Sequence, residues 1–290
     1  MKKRFIHIFI FLSLAFLIKA QDIHFSQFTE NSPLVNPALT GALSPLKISI
    51  HSKDQWRSVT SPYKTIGANI ETRFKGNDWQ QVEKRSMTFK EKSMSRIAAG
   101  LSVYSDRAGD GNFGLMQMNL SLASFVALNK NNSLSLGFQG SFAQRKIDQS
   151  KLIFPDQYNG VGYDASQATK ETFNSATFNY FDLASGMLWT LSKTEKNVNS
   201  NKQFVSHMGF AVFHLTQPKQ KFFNAANKLY LKYVVHGDLI ASMGKSNIAL
   251  VPSFLVQLQG TSSEVVAGTL VKHFLNNTTK YTGIQKRHAF

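Results

Sequence analysis

No cysteine occurs among the 290 residues, which excludes a disulfide framework, a thiol nucleophile and a Cys-ligated zinc or iron–sulfur centre. Charge is scarce as well: Asp, Glu, Lys and Arg together make up 17% of the chain, against roughly 25% in an ordinary soluble domain. Acidic residues are the scarcer kind, 17 against 33 basic ones, for a formal net charge of +16. Beyond Ile18 no apolar run approaches the ~18 residues that mark a spanning helix. Transmembrane helices are thereby excluded, but membrane residence is not. Catalytic signatures are missing too: there is no HExxH, no G-x-S-x-G elbow and no Gly-rich phosphate loop ending in Lys-Ser or Lys-Thr.

What the chain does have is 42% hydrophobic residues, 24 of them Phe, enough to exclude global disorder and to build one large domain or two small ones. Lys2, Lys3 and Arg4 precede an apolar run from Phe5 to Ile18, followed by Lys19 and Ala20. This is the layout of a secretory signal peptide, 1–20, with cleavage expected after Ala20. Removal takes away four cations and no acid, so the formal +16 becomes +12.

Period-two alternation recurs in the exported part. Ile66, Ala68, Ile70, Thr72 and Phe74 alternate with Gly67, Asn69, Glu71 and Arg73, so one face of the strand is greasy and the other small or polar. The same holds for Ile97, Ala99, Leu101 and Val103 against Ala98, Gly100, Ser102 and Tyr104, and for Leu134, Leu136, Phe138 and Phe142 against Ser133, Ser135, Gly137, Gln139 and Ser141. Further strands are expected at 114–128, 178–191, 204–214, 229–243, 247–259 and 264–275, with weaker patterns at 47–52 and 281–290. That makes eleven. Many reach the ~9 to 11 residues a tilted strand needs to cross a bilayer, and Phe74, Tyr104, Phe113, Phe142, Phe181, Trp189, Tyr230 and Phe274 stand near strand ends, where interfacial aromatics would sit.

Connections alternate in size. Asn129 to Asn132, Gly244 to Ser246 and Asn276 to Thr278 are tight polar turns, whereas 147–175 is long; outer-membrane barrels pair short periplasmic turns with long outer loops. The charged stretch 75–95 falls on the tight-turn side without a sequence rationale. An odd strand count leaves the last strand on the wrong side for a closed barrel, so the chain is expected to be C-terminally truncated.

Several local patterns dissolve on inspection. Gly109, Gly111 and Gly114 match G-x-G-x-x-G, but a strand pattern follows instead of a helix, so a turn needing positive φ is expected. Asp106, Asp110 and Gly111 resemble part of a calcium loop, yet Ala108 and Gln117 occupy ligand positions. His207, His214, His236 and His273 lie on different strands and are expected to be structural or lumen-facing. The cations Lys84, Arg85, Lys90, Lys92, Lys219 and Lys221 fall in connections, where they can meet lipid phosphates or an acidic partner, or simply solvate a loop. No catalytic, cofactor-binding or metal residue is nominated, and no cofactor or nucleic acid is expected.

Taken in order, Gln21-Asp22, Phe25-Ser26-Gln27 and Pro33-Leu34-Val35-Asn36-Pro37-Ala38-Leu39-Thr40-Gly41 form an opening pattern. Gln55-Trp56, Pro62-Tyr63, Asp106 to Gly111, Ile147-Asp148, Asp156-Gln157 and Phe181 to Gly186 follow. His214 to Pro218, Tyr233 with His236-Gly237, Pro252-Ser253 and Gln257 to Gly260 complete it. The series resembles the PorP/SprF family of outer-membrane proteins from the type IX secretion and gliding-motility systems of Bacteroidota. The resemblance implies an antiparallel transmembrane β-barrel of 12–14 strands when complete, with 21–46 as an N-terminal segment and 47–290 as the barrel. Family members continue into further strands after Lys280-Tyr281-Thr282-Gly283, which this chain lacks.

The implied function is non-enzymatic: an outer-membrane accessory that assists secretion or surface attachment of a partner, such as a gliding adhesin carrying a type IX C-terminal signal. Its partners would be that cargo, other type IX components and outer-membrane lipid. Two alternatives stay open on the residues alone, a passive porin-like channel and a soluble secreted β-sandwich for adhesion or binding.

Overall fold

The computed structural model describes residues 25, 28–58, 61–74, 97–164, 166–167, 169–170, 176–194, 203–220, 227–242 and 248–273. Ten long strands make one antiparallel sheet: β1 (Leu46–Gln55), β2 (Tyr63–Phe74), β3 (Ile97–Ala108), β4 (Phe113–Ala127), β5 (Asn132–Lys146), β6 (Thr177–Thr194), β7 (Gln203–Phe213), β10 (Lys232–Ser242), β11 (Ile248–Gln259) and β12 (Ser262–His273). Each pairs with the next in chain order, and the sheet curls into a half-barrel. Between β7 and β10 a two-residue pair, β8 (Lys219–Gln220) and β9 (Asn227–Lys228), forms its own ribbon. Every long strand has ten residues or more, enough for a bilayer crossing.

Ten of the eleven expected strands are present, and the eleventh, 281–290, lies outside the described residues, as do 1–20, 75–96 and the turns at 244–246 and 276–278. The strand expected over 229–243 is shorter. Its first residues, 229–231, lie between the β8–β9 ribbon and the sheet, Leu229 N–H donating to Pro218 O and the Tyr230 ring lying against Gly260, and sheet pairing begins at Lys232.

Register turns the alternation into surfaces. Ile50, Ala68, Val103, Met118, Phe142 and Phe181 form one row across β1 to β6, and Ile48, Ile70, Leu101, Leu120, Gly140 and Leu183 form the next. Both rows face outward, with Ile50 80% and Phe181 73% exposed. The inward rows are the buried ones, and they are polar: Asn69, Ser102, Asn119, Ser121, Ser135, Gln139 and Ser141 are all sealed from solvent. A soluble sheet does the reverse, packing its apolar face and wetting its polar one. Here no second sheet covers the oily face among the described residues, so the sandwich alternative lacks its second layer and the band fits hydrocarbon.

Tyr104 does not belong to an interfacial girdle. Its position in β3 is of inward parity and fully buried. Gly67 on β2 leaves the space, since a Cβ there would sit 2.3 Å from the Tyr104 ring. The ring packs with Leu115 and Ala143, and its hydroxyl donates to Asn31 Oδ1.

Candidate functional site: a plugged lumen and its two rims

The segment before β1 fills the concave side of the sheet. It runs through a 3-10 turn (Phe28–Glu30), one short helix, α1 (Ser32–Val35), and a second 3-10 turn (Pro37–Leu39), with Pro33 and Pro37 at the start of the last two. Proline suits a first helical position because its fixed φ is already helical and its missing N–H would be unpaired there. Phe28, Val35 and Leu39 pack on Ala184, Leu188, Phe213, Val234 and Leu255, while Ala42 meets Ala98, Ala123 and Phe125. The second 3-10 turn rests on β4, β5, β6 and β7.

Small residues make this seat possible. Ala98, Ala123, Gly137, Gly186, Ala211 and Val234 are successive register partners, a shelf running across β3 to β10. A Cβ at Gly137 would lie 2.2 Å from Ala38 N and 2.3 Å from Pro37 C. At Gly186 it would lie 2.0 Å from Asn36 Oδ1, and at Gly209, 2.1 Å from His236 Nε2. The backbone of the plug therefore touches the backbone of the wall.

Asn36 joins the two. Its Oδ1 accepts from Ala38 N–H at 2.9 Å, its Nδ2 donates to Met187 O at 3.0 Å, and the same nitrogen lies 3.0 Å from His236 Nε2. Ser135 Oγ donates to Ala38 O at 2.9 Å. Lower down, Glu71 accepts from Gly41 N–H at 2.9 Å and from Asn69 Nδ2 at 3.0 Å. The Arg73 guanidinium donates to the carbonyls of Gly41 and Ala42 and stacks on Phe125, 4.8 Å from the ring centroid. These bonds hold Gly41 at φ +65°, a conformation that favours glycine. Buried charges kept in place by several donors or acceptors are the arrangement a low-dielectric interior tolerates.

Three of the four histidines expected to be structural or lumen-facing are buried, His207 and His236 on inward positions of β7 and β10, and His214 just past the end of β7 in a left-handed conformation, φ +60°. His207, His214 and His236 are buried, beside Asp238 (Nδ1 to Oδ2, 2.8 Å), Asp182 (2.7 Å) and Asn36 respectively, whereas His273 is exposed on β12. Thr216 Oγ1 also donates to Asp182, at 3.0 Å, so both groups converge on one carboxylate and neither activates the other. Below the plug a cavity of about 890 Å³ opens toward the tight-turn rim, lined by Phe28, Leu39, Phe125, His207, Asp238 and Leu270 among others.

The other rim carries the long connections, and several segments of the opening resemblance meet there. Tyr63 and Thr65 hydroxyls donate to Asp106 at 2.7 and 2.6 Å, and Trp56 packs edge-on against Tyr63. Of the three glycines, Gly109 takes positive φ (+69°), with Asn112 N–H closing the turn onto its carbonyl at 3.0 Å. Gly111 serves close packing instead, its missing Cβ leaving room for Leu152. In the long connection, Asp156 accepts from Lys170 N–H at 2.6 Å, Gln157 Nε2 donates to Gln167 O, and Tyr158 and Tyr163 form a bridge. The Ser166 hydroxyl, donating to Asp164, holds that carboxyl below the usual carboxylate range. The tip between the tyrosines projects outward, with Val161 94% exposed.

The plug is what the sequence reading did not place. Its signal is recoverable only after strand alignment, when Gly137 and Gly186 prove to be direct partners flanked by Ala123 and Ala211.

A half-barrel with an oily outer band and a polar inner wall closed over its own N-terminal segment defines a β-barrel class of membrane protein. The chain belongs to the type IX secretion system membrane protein family PorP/SprF, whose family model matches residues 17–284 and so takes in the plug and all ten strands. No curated protein matches the chain.

Proposed function

We propose that this chain is a non-enzymatic outer-membrane accessory of type IX protein secretion, exported by the cleaved segment 1–20. It helps a secreted surface protein, such as a gliding adhesin bearing a type IX C-terminal signal, to leave the cell or stay attached. Family membership supplies the secretion system. The observation that carries the docking role is the ordered tip of the long connection, where Tyr158, Val161 and Tyr163 stand in water on a loop braced by Asp156 and Gln157. Exposed apolar side chains on a braced loop, away from any lipid-facing strand, suit a protein partner. The plug speaks against the porin-like alternative, because Asn36, Pro37 and Ala38 occupy the lumen in backbone contact with β5 and β6.

Val161→Asp combined with Tyr158→Ala, made in the full chain, should release the partner from the cell surface while the variant still reaches the membrane in normal amount. In a deletion strain, loss of one surface protein with unchanged solute uptake is the expected pattern. Intact surface protein with altered uptake would return the porin reading to first place.

A further inference from the structure

Lys64, Arg107 and Lys146 lie in one register row across β2 to β5, with Gly114 between the last two. All three side chains have outward parity and are exposed. Lys64 and Arg107 are direct partners, so about 5 Å separates their strands, and Lys146 stands two strands, about 10 Å, from Arg107. The glycine gives this row a floor without a side chain, its missing Cβ meeting only backbone oxygens at 3.6 Å or more. Two residues further along the same strands the outward row mixes Ile66 and Met116 with Ser105 and Gln144, and the next row, Ala68, Val103, Met118 and Phe142, is wholly apolar. At the other end of these strands the outward positions are Phe74, Ile97, Val126 and Leu134.

Neighbouring acids offset the row only in part, Asp148 through its attraction to Lys146. Asp54, the register partner of Lys64, is paired with Arg57 at 3.0 Å. Asp106 points inward to Tyr63 and Thr65. Asp148, near Lys146, accepts from Ser150 and faces Lys151 at 3.9 Å, and Asp110 is exposed in the adjoining turn.

We infer that Lys64, Arg107 and Lys146, over the Gly114 floor, bind the phosphate of a membrane lipid headgroup in the leaflet at the long-loop rim. Cations at the edge of a hydrocarbon band are at the depth of lipid phosphates, and the guanidinium and ammonium groups flanking a bare backbone floor suit a tetrahedral oxyanion. The site is independent of whichever protein the loops dock, so its test needs no partner.

The full chain, folded in a neutral detergent, is incubated with monophosphoryl lipid A, and retained lipid is measured after gel filtration. Parallel arms use the dephosphorylated lipid and inorganic phosphate as competitor. Phosphorylated lipid should be retained and dephosphorylated lipid should not. The triple variant Lys64→Gln, Arg107→Gln, Lys146→Gln should weaken retention roughly a hundredfold, given the several-fold that each cation near an anionic membrane surface contributes. Lys64→Arg with Lys146→Arg should preserve it, and Lys193→Gln, at the opposite end of β6, should leave it unchanged. If the triple variant fails to show heat-modifiable migration, Arg107→Gln alone serves, with roughly a fivefold loss. Unchanged retention in a folded variant, equal retention of the dephosphorylated lipid, or full displacement by inorganic phosphate each overturns the assignment.

Discussion

Gly137→Ala, compared with Gly140→Ala on the same strand, isolates the contact between plug and wall. Gly140 faces outward and an added Cβ there meets nothing within 4 Å. That change should be neutral or stabilise by up to about 1 kcal/mol, because alanine narrows the unfolded ensemble. At Gly137 the added methyl would lie 2.2 Å from Ala38 N, where ordinary contact begins near 3.4 Å. The obstacle is backbone and cannot swing aside, so the plug must retreat by about 1.2 Å. That retreat would stretch Ser135 Oγ to Ala38 O and Asn36 Nδ2 to Met187 O, at 2.9 and 3.0 Å, beyond hydrogen-bonding range. Overpacking costs about 1–3 kcal/mol and a buried polar group left unmatched a similar amount; we therefore expect Gly137→Ala to destabilise by about 2–6 kcal/mol. Urea unfolding in detergent gives that difference, and limited proteolysis reports whether 28–45 has left the lumen. Identical midpoints for the two variants, with the plug equally protected, would refute the close-contact argument.

Ile70→Arg places a charge in the middle of the outward band and should lower folding stability in lipid by about 2–4 kcal/mol, measured as the folded fraction on unheated gels. A comparison with Ser135→Arg needs care, since Ser135 is 3% exposed beneath Ala38: that variant should fail by expelling the plug, seen as new protease cleavage in 28–45, which Ile70→Arg should not produce. Arg73→Met keeps the length of the side chain but strips the donors from the Gly41 and Ala42 carbonyls, and should expose the 42–45 stretch to protease at a loss of about 1–3 kcal/mol. Tyr104→Phe should cost about 1–3 kcal/mol through the orphaned Asn31 oxygen, readable as a shift of the unfolding midpoint with an unchanged slope.

Strand positions were legible because one physical rule acts on every strand: side chains alternate faces, and lipid demands that one face be apolar throughout. Ile66 to Phe74 follows this rule alone, without help from distant residues. The same rule files Tyr104 on the inner wall, where Gly67 across the strand pair makes room for its ring, and the strand-end aromatic expectation is what misplaces it. The plug was illegible for a different reason. Pro33 to Gly41 has no period, and its seat is distributed over Gly137, Gly186 and Gly209, which are ordinary single glycines until register aligns them. The basic row at Lys64, Arg107 and Lys146 is hidden in the same way, three isolated cations brought level by pairing.

Asn36 and His236, which meet at 3.0 Å, stand 200 positions apart in the chain. The segment before β1 is thus among the last to find its resting place, since its seat is not complete until β10 has been laid down. Long-range closures of this kind are slow, and until then the polar inner wall stays wet and the segment before β1 stays undocked. Final docking of the plug would therefore act as a completion signal, distinguishing a finished wall from a stalled one.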